Sequence, residues 1–152
     1  EIGNNISPLG FILGDEGSGA VLGKLLVGDV LKNQLPPAIK EAFLKHFDLT
    51  APEIIDRVYR QPFPNRFLAS LSPFLAQHLE EPAIRSLVLN SFIAFLRRNV
   101  MQYDYKQYPV HFIGSVAHCY KEVLQEAAQT TGIQIGKILQ SPMEGLIQYH
   151  QQ

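Results

Sequence analysis

The sequence predicts an α/β domain in which two strand-turn-helix units flank a long helical insert. A short apolar segment at residues 9–13 precedes a glycine-rich turn at residues 14–19. A second apolar segment, at residues 108–113, precedes the turn Gly114-Ser115. Between the two units, apolar residues recur with helical spacing from residue 20 to residue 100.

The composition indicates one soluble domain with a substantial core. The chain has 152 residues, of which 46% are apolar and 18% are charged, and this excludes intrinsic disorder. Its formal charge of −1 gives no electrostatic footprint for nucleic acid or an anionic membrane. No apolar run is long enough to span a bilayer. A single cysteine excludes an internal disulfide and favours a reducing, cytoplasmic location.

Helices are predicted for most of the insert. The first begins at about Ala20 with one inward apolar stripe (Val21, Leu22, Leu25, Leu26 and Val30) and ends before Pro36-Pro37. Further helices are expected at residues 37–47, 51–59, 65–78 and 83–99. Thr50 and Glu53 have capping-box spacing at the start of the helix expected at 51–59. The helix at 83–99 could pack internally or in a homodimer, and the sequence leaves both open.

The last third of the chain has the order strand, helix, strand, helix. Strands are expected at residues 108–113 and 133–139, with a helix at 117–128 between them and Gly132 as its left-handed stop. A terminal helix is expected from Ser141. This order implies a parallel pair of strands joined by a right-handed crossover.

The first glycine-rich turn presents a carboxylate beside exposed backbone. The spacing of its glycines fits neither the phosphate-binding loop of P-loop enzymes nor the dinucleotide-binding fingerprint. Asp15 could accept hydrogen bonds from the hydroxyl groups of a substrate. The alternative is a tight strand-to-helix turn in which Asp15 or Ser18 caps the following helix. The sequence pattern by itself favours the second interpretation.

The second turn, Gly114-Ser115, is a weaker indication of a site. Backbone N–H groups at the start of a helix suit a phosphate or the polar edge of a nucleoside, but such junctions are common in α/β proteins. The nearby His111, His118 and Cys119 do not have the spacing of a zinc site. We expect these histidines either to have hydrogen-bond partners or to be exposed to solvent. We expect Cys119 to be buried, like a small apolar residue.

Taken together, the two turns resemble a known family. Residues 8–19, Pro-Leu-Gly-Phe-Ile-Leu-Gly-Asp-Glu-Gly-Ser-Gly, resemble the sugar-side motif of the BadF/BadG/BcrA/BcrD ATPase family, which includes N-acetylglucosamine kinases. Residues 114–117, Gly-Ser-Val-Ala, resemble its adenosine motif. The resemblance covers the whole chain as a carboxy-terminal half. It implies one lobe of an actin-like (ribonuclease H-like) fold, with a mixed sheet and a large helical insert.

The resemblance also implies roles for individual residues. Pro8, Leu9 and Gly10 would lie against the sugar, and Asp15 would bind its hydroxyl groups. Gly114 and Ser115 would approach ATP. Ala69, Ser70 and Cys119 would lie near the nucleotide, although a cysteine at position 119 departs from the family pattern.

The resemblance places the remaining functional groups outside this chain. The first phosphate loop, the Mg²⁺-binding carboxylate and the catalytic base of the family belong to its amino-terminal half. We therefore expect residues 1–152 to be a single lobe from a longer two-lobe protein, inactive alone and without catalytic residues of its own. The expected activity of the parent is ATP-dependent phosphorylation of an amino sugar. The alternatives are an ATPase that activates a dehydratase through a cysteine-bound iron–sulfur cluster, and a non-catalytic ATP-sensing domain.

Overall fold

The computed structural model describes residues 9–13, 16–62, 64–103, 105–106 and 108–140. These residues form two compact units. One comprises the described residues within 1–15 and 89–152, and the other comprises residues 16–88. In chain order the elements are β1 (Leu9–Ile12), α1 (Glu16–Leu31), α2 (Pro37–Phe47), α3 (Ala51–Tyr59), α4 (Pro64–Leu71), α5 (Pro73–Gln77), α6 (Pro82–Phe95), a π-helical turn (Leu96–Val100), β2 (Val110–Ile113), α7 (Ser115–Cys119), α8 (Lys121–Thr131) and β3 (Ile135–Leu139).

A parallel sheet of three strands, in the order β1-β2-β3, forms the centre of the first unit. The predicted parallel pair of late strands is confirmed: β2 and β3 are neighbours, and α7 and α8 connect them. The register between them shifts, because Val110 pairs with Ile135 whereas Phe112 pairs with Ile138. All the strands in the described residues run parallel, so a mixed sheet remains a prediction.

One face of this sheet is packed, and the other is exposed at β1. Val110 and Phe112 of β2 are fully buried. Phe11 of β1 contacts the rings of Phe112 and Phe95, with ring centroids 6.2 and 6.1 Å apart. Ile12, which points the opposite way from Phe11, remains 61% exposed. The alternation along β1 therefore separates a core face from an open one.

The second unit is organised by close packing of α1 against α4. A Cβ atom added to Gly23 would lie 1.9 Å from the backbone oxygen of Leu68, so the two helices approach to backbone contact. Leu22 and Leu26 on the same helix are buried. The expectation that Val21 and Leu25 also point inward is wrong, since they are 54% and 42% exposed. Glycines allow the helix to face α4 with its backbone, and this turns Val21 and Leu25 outward.

Most helix boundaries follow local sequence signals. The predicted capping box is present: the Thr50 hydroxyl accepts a hydrogen bond from the Glu53 N–H at 3.3 Å, and the Thr50 N–H donates to the Glu53 carboxylate at 2.9 Å. Gly132 ends α8 in the left-handed conformation, with φ 80°. No helix among the described residues is both long enough and apolar enough to cross a bilayer.

Four predicted helices differ from those observed. The first, expected from about Ala20, begins one turn earlier at Glu16. The helix expected at 65–78 divides at Ser72 because Pro73, which has no N–H to donate, begins a new helix. The helix expected at 83–99 is α-helical only to Phe95 and continues as a π-helical turn. The helix expected at 117–128 begins at Ser115 and divides at Tyr120.

Candidate functional site

The carboxyl ends of the three strands meet at one edge of the sheet, which is where open parallel sheets bind ligands. Backbone hydrogen bonds tie this edge together. The Leu13 N–H donates to the Ile113 carbonyl at 2.8 Å, and the Gly114 N–H donates to the Leu139 carbonyl at 2.8 Å. The Ala117 N–H in α7 donates to the Leu13 carbonyl at 2.9 Å. The turn after β2 is therefore fixed to both neighbouring strands.

Gly114 has a backbone conformation that requires glycine. Its φ of 134° and ψ of 165° lie in a region that residues with a side chain essentially do not occupy. The residue is buried, its N–H is engaged by Leu139, and its carbonyl accepts from the His118 N–H at 3.0 Å. Gly114 can therefore leave room for a ligand because it has no side chain. Its N–H already donates to Leu139, so it cannot donate to the ligand.

Ser115 is the first residue of α7 and is exposed at the sheet edge. The helix that carries it is short, but Val116 and Ala117 are buried and anchor it. The chain therefore holds the serine in a fixed position beside Gly114. Exposure leaves this serine accessible to a ligand approaching the edge.

Cys119, the last residue of α7, is exposed, so the expectation of a buried thiol is wrong. The five-residue helix ends there and leaves the side chain at its surface. Partial burial still raises the pKa of the thiol. The side chain is consequently a neutral thiol near pH 7, a form that is a weak nucleophile and a weak metal ligand.

The residues expected on the sugar side are only partly described. Pro8 and Asp15 lie outside the described residues. Leu9 begins β1, and Gly10 follows it in the strand. Gly10 is exposed, and a Cβ atom added there would meet nothing within 4 Å. The strand therefore leaves open space at the position expected to face the sugar.

Ala69 and Ser70 lie on α4 in the second unit. A Cβ atom added to Gly19 of α1 would lie 3.1 Å from the Cβ of Ala69, so Ala69 is a packing residue of the α1–α4 contact. Ser70 is exposed, and its hydroxyl donates to the Phe67 carbonyl at 2.5 Å. Ala69 is thus half-buried with a packing role, and Ser70 is the more exposed of the two.

His111 has a structural partner that the sequence did not indicate. Its Nδ1 accepts a hydrogen bond from the Lys137 N–H at 2.8 Å, which leaves the ring proton on Nε2. Burial, and secondarily the charge of Lys137, lower the pKa of the imidazole. This agrees with the expectation of a satisfied histidine. Among the described residues, no three His, Cys, Asp or Glu side chains are grouped so that they could hold a metal ion.

Comparisons with known proteins find a strong match among solved structures. No family model matches the sequence, and no curated protein matches it either. The crystal structure of a candidate N-acetylglucosamine kinase from Porphyromonas gingivalis is 61% identical in sequence and superposes with a TM-score of 0.83. The match covers 95% of this chain and 51% of that one. The chain therefore spans about half the length of this relative and shares the fold of that half.

Proposed function

We propose that this chain contributes the sugar and nucleotide contacts of an ATP-dependent sugar kinase whose substrate is an amino sugar such as N-acetylglucosamine. The observation that carries the proposal is the 61% identity over 95% of the chain to the candidate N-acetylglucosamine kinase. Identity at this level over so much of the chain favours a shared ligand chemistry as well as a shared fold.

The arrangement of the sheet edge supports a nucleotide at the Gly114-Ser115 turn. A buried glycine with φ 134° removes any side chain from the approach to the edge, and the exposed Ser115 follows it directly. In this proposal Ser115 contacts ATP, and Gly114 permits its close approach. Ser70 and Cys119, both exposed, are further candidates for the nucleotide, whereas Ala69 acts through packing.

On the sugar side, the proposal assigns binding to residues 8–10 and to Asp15. A carboxylate suits this role because it accepts hydrogen bonds from two sugar hydroxyl groups at once. The open space at Gly10 is consistent with a ligand lying against the strand. Asp15 would orient the acceptor hydroxyl and would not itself exchange a proton in the reaction.

The family that the sequence resembles carries its Mg²⁺-binding carboxylate and its catalytic base in the amino-terminal half, and one or two carboxylates there would suffice, with phosphate and water as the other ligands. We therefore place the Mg²⁺ ligands and the catalytic base outside this part of the chain. Phosphoryl transfer depends on positioning ATP, metal and acceptor together. For that reason we expect residues 1–152 on their own to bind ligands without turning them over.

A coupled assay of ADP release by the complete protein tests this function. Mg-ATP is supplied with a panel of sugars that includes N-acetylglucosamine, glucose and N-acetylmannosamine. Release that depends on an amino sugar is the expected result. Turnover of ATP without any sugar would support the dehydratase-activating ATPase instead, and ATP binding without turnover would support an ATP sensor.

A further inference from the structure

The irregular pairing of β2 with β3 lies just before the turn that we assign to the nucleotide. Because the register shifts between Val110 and Phe112, the single residue His111 of β2 faces two residues of β3, Gly136 and Lys137. This is the arrangement of a β-bulge, in which the extra residue has no partner in the ladder. Bulges are frequent beside active sites, where they redirect a side chain or end the pairing of a strand.

His111 supplies the hydrogen-bond partner that the bulge removes. The Lys137 N–H donates to Nδ1 of the imidazole at 2.8 Å. The ring can reach this position because Gly136 has no side chain, and a Cβ atom added there would lie 2.6 Å from Nδ1. The glycine thus admits the ring, and the ring satisfies the extra N–H. The imidazole therefore holds the extra residue of β3 at one place in the strand.

The bulge is connected to the turn at Gly114 through the end of β3. Leu139 follows two residues after Lys137, and its carbonyl accepts the hydrogen bond from the Gly114 N–H at 2.8 Å. The Leu139 side chain is only 8% exposed. If the bulge closed and the strand slid by one residue, the side chains beyond it would change faces and Leu139 would leave the core. The carbonyl that fixes Gly114 therefore depends on the register that the bulge sets.

The hydrogen bond in the bulge requires a neutral imidazole, because a protonated Nδ1 carries a hydrogen and cannot accept. Burial, and secondarily the charge of Lys137, lower the pKa of His111 and keep the ring neutral at pH 7. On β1 the paired residue is the uncharged Gly10, and the neighbours within β2, Val110 and Phe112, are apolar. Among the described residues of these three strands, the imidazole is therefore the group whose charge changes in mild acid.

We propose that His111 is a positioning residue for the nucleotide: its Nδ1 fixes the register of β3, and Leu139 then holds the Gly114-Ser115 turn in the conformation that binds ATP. This inference rests on the proposed function, because it takes the turn to be the ATP contact. Protonation of the ring breaks the hydrogen bond from Lys137, and the turn then binds ATP less tightly. His111 acts through β3 without touching the ligand.

The first test is the affinity of the complete protein for Mg-ATP, measured by calorimetry at neutral pH. His111→Asn keeps an acceptor near the position of Nδ1, whereas His111→Leu fills similar space without one. We expect His111→Asn to bind like the wild type and His111→Leu to bind about tenfold less tightly, the effect of one lost hydrogen bond. Equal affinities of His111→Leu and the wild type would overturn the proposal, as would equal losses in the two variants.

A control separates this effect from a general loss of stability. Val123→Ala removes buried methyl groups from α8 in the same unit and leaves the bulge in place. It is expected to lower the melting temperature and to keep the affinity for Mg-ATP, measured well below that temperature. A loss of affinity equal to that of His111→Leu would overturn a specific role for the histidine.

The dependence of this affinity on pH provides a readout that a merely structural role would not change. The wild type is expected to lose affinity for Mg-ATP between neutral and mildly acidic pH more steeply than His111→Asn, which has no imidazole to protonate. The terminal phosphate of ATP titrates in the same range, but it does so for both proteins, so their difference is due to His111. Parallel profiles would overturn the proposal.

Hydrogen exchange at the Gly114 amide distinguishes failure of this inference from failure of the proposed function. The amide is expected to be protected in the wild type and in His111→Asn, and to exchange faster in His111→Leu. A wild type that binds no ATP would overturn the proposed function, and the protection of Gly114 would still decide whether His111 fixes the turn. Unchanged protection in His111→Leu would overturn the inference.

Discussion

The imidazole ring of His111 lies directly against the α-carbon of Gly136 on the neighbouring strand. A Cβ atom added to Gly136 would be 2.2 Å from Cε1 and 2.6 Å from Nδ1 of this ring. The contact lies where the register of β2 and β3 shifts, and the ring is held there by the hydrogen bond from the Lys137 N–H. The histidine therefore fills an irregularity of the sheet and satisfies a backbone group that the ladder leaves unpaired.

Gly136→Ala is expected to destabilise the first unit. The new methyl group must displace the His111 ring, and this breaks the hydrogen bond to Lys137 as well as the packing, so we expect a loss of about 1–3 kcal/mol. Chemical denaturation of the complete protein measures this loss. Gly10→Ala is the control, because its methyl group would enter open space on β1. A loss at Gly10 equal to that at Gly136 would contradict the explanation, as would an unchanged stability of Gly136→Ala.

The stability of the protein is expected to fall between neutral and mildly acidic pH because of His111. Its pKa is lowered from the ordinary 6.5 by burial and by Lys137, so the folded state binds fewer protons than the unfolded state in this range. The stabilisation is complete above about pH 6.5 and is lost as the pH falls through the folded-state pKa, where a protonated Nδ1 can no longer accept from Lys137.

Denaturation as a function of pH checks this contribution. His111→Gln should flatten the dependence between neutral pH and mild acid, whereas the exposed His118 provides a control in which His118→Gln leaves the dependence as it is in the wild type. An unchanged slope in His111→Gln would assign the acid sensitivity to other groups.

Gly23→Ala and Gly28→Ala form a matched pair on one helix. The methyl group at position 23 would strike the Leu68 backbone oxygen and push α1 away from α4, so we expect a loss of about 3 kcal/mol or more. At position 28 the space is open, and replacing glycine within a helix should gain about 1 kcal/mol. Thermal unfolding in dilute solution compares them, and a similar loss of stability in both variants would contradict the explanation, because only position 23 contacts Leu68.

Asp15→Ala is expected to weaken sugar phosphorylation strongly while ATP binding persists. The side chain is proposed to bind sugar hydroxyl groups, and its removal should lower kcat/KM by about 100-fold or more, equivalent to about 3 kcal/mol of lost contacts. Coupled kinetics and calorimetry with ATP measure the two effects separately. Glu122→Gln, an exposed change on α8, is the control. Equal loss of ATP affinity and activity would contradict a role on the sugar side.

Features set by neighbouring residues could be predicted from the sequence. Thr50 caps α3, Gly132 stops α8 and Pro37 begins α2, because each signal acts within one helical turn. The parallel pairing of β2 and β3 follows from a strand-helix-strand order. The requirement for glycine at position 114 is local as well, since it arises from the turn between β2 and α7.

Features that depend on distant residues could not be predicted. The outward orientation of Val21 and Leu25 follows from the approach of Leu68 to Gly23, which lies 45 positions earlier in the chain. His111 and Lys137 are 26 residues apart, and no periodicity in either segment indicates their hydrogen bond. The spacing of apolar residues predicts a helix. The element that packs against the helix decides which of those residues are buried.

The π-helical turn at Leu96–Val100 explains how an unusual apolar spacing stays buried. Phe92, Leu96 and Val100 are all buried although they recur every four residues, a spacing that drifts by about 40° per step around a helix of 3.6 residues per turn. The wider turn takes up one extra residue and so cancels this drift. Removing a single residue there would rotate everything after it by roughly 100°, and Val100 would leave the core. The number of residues in this turn is therefore constrained as tightly as the identities of its buried side chains.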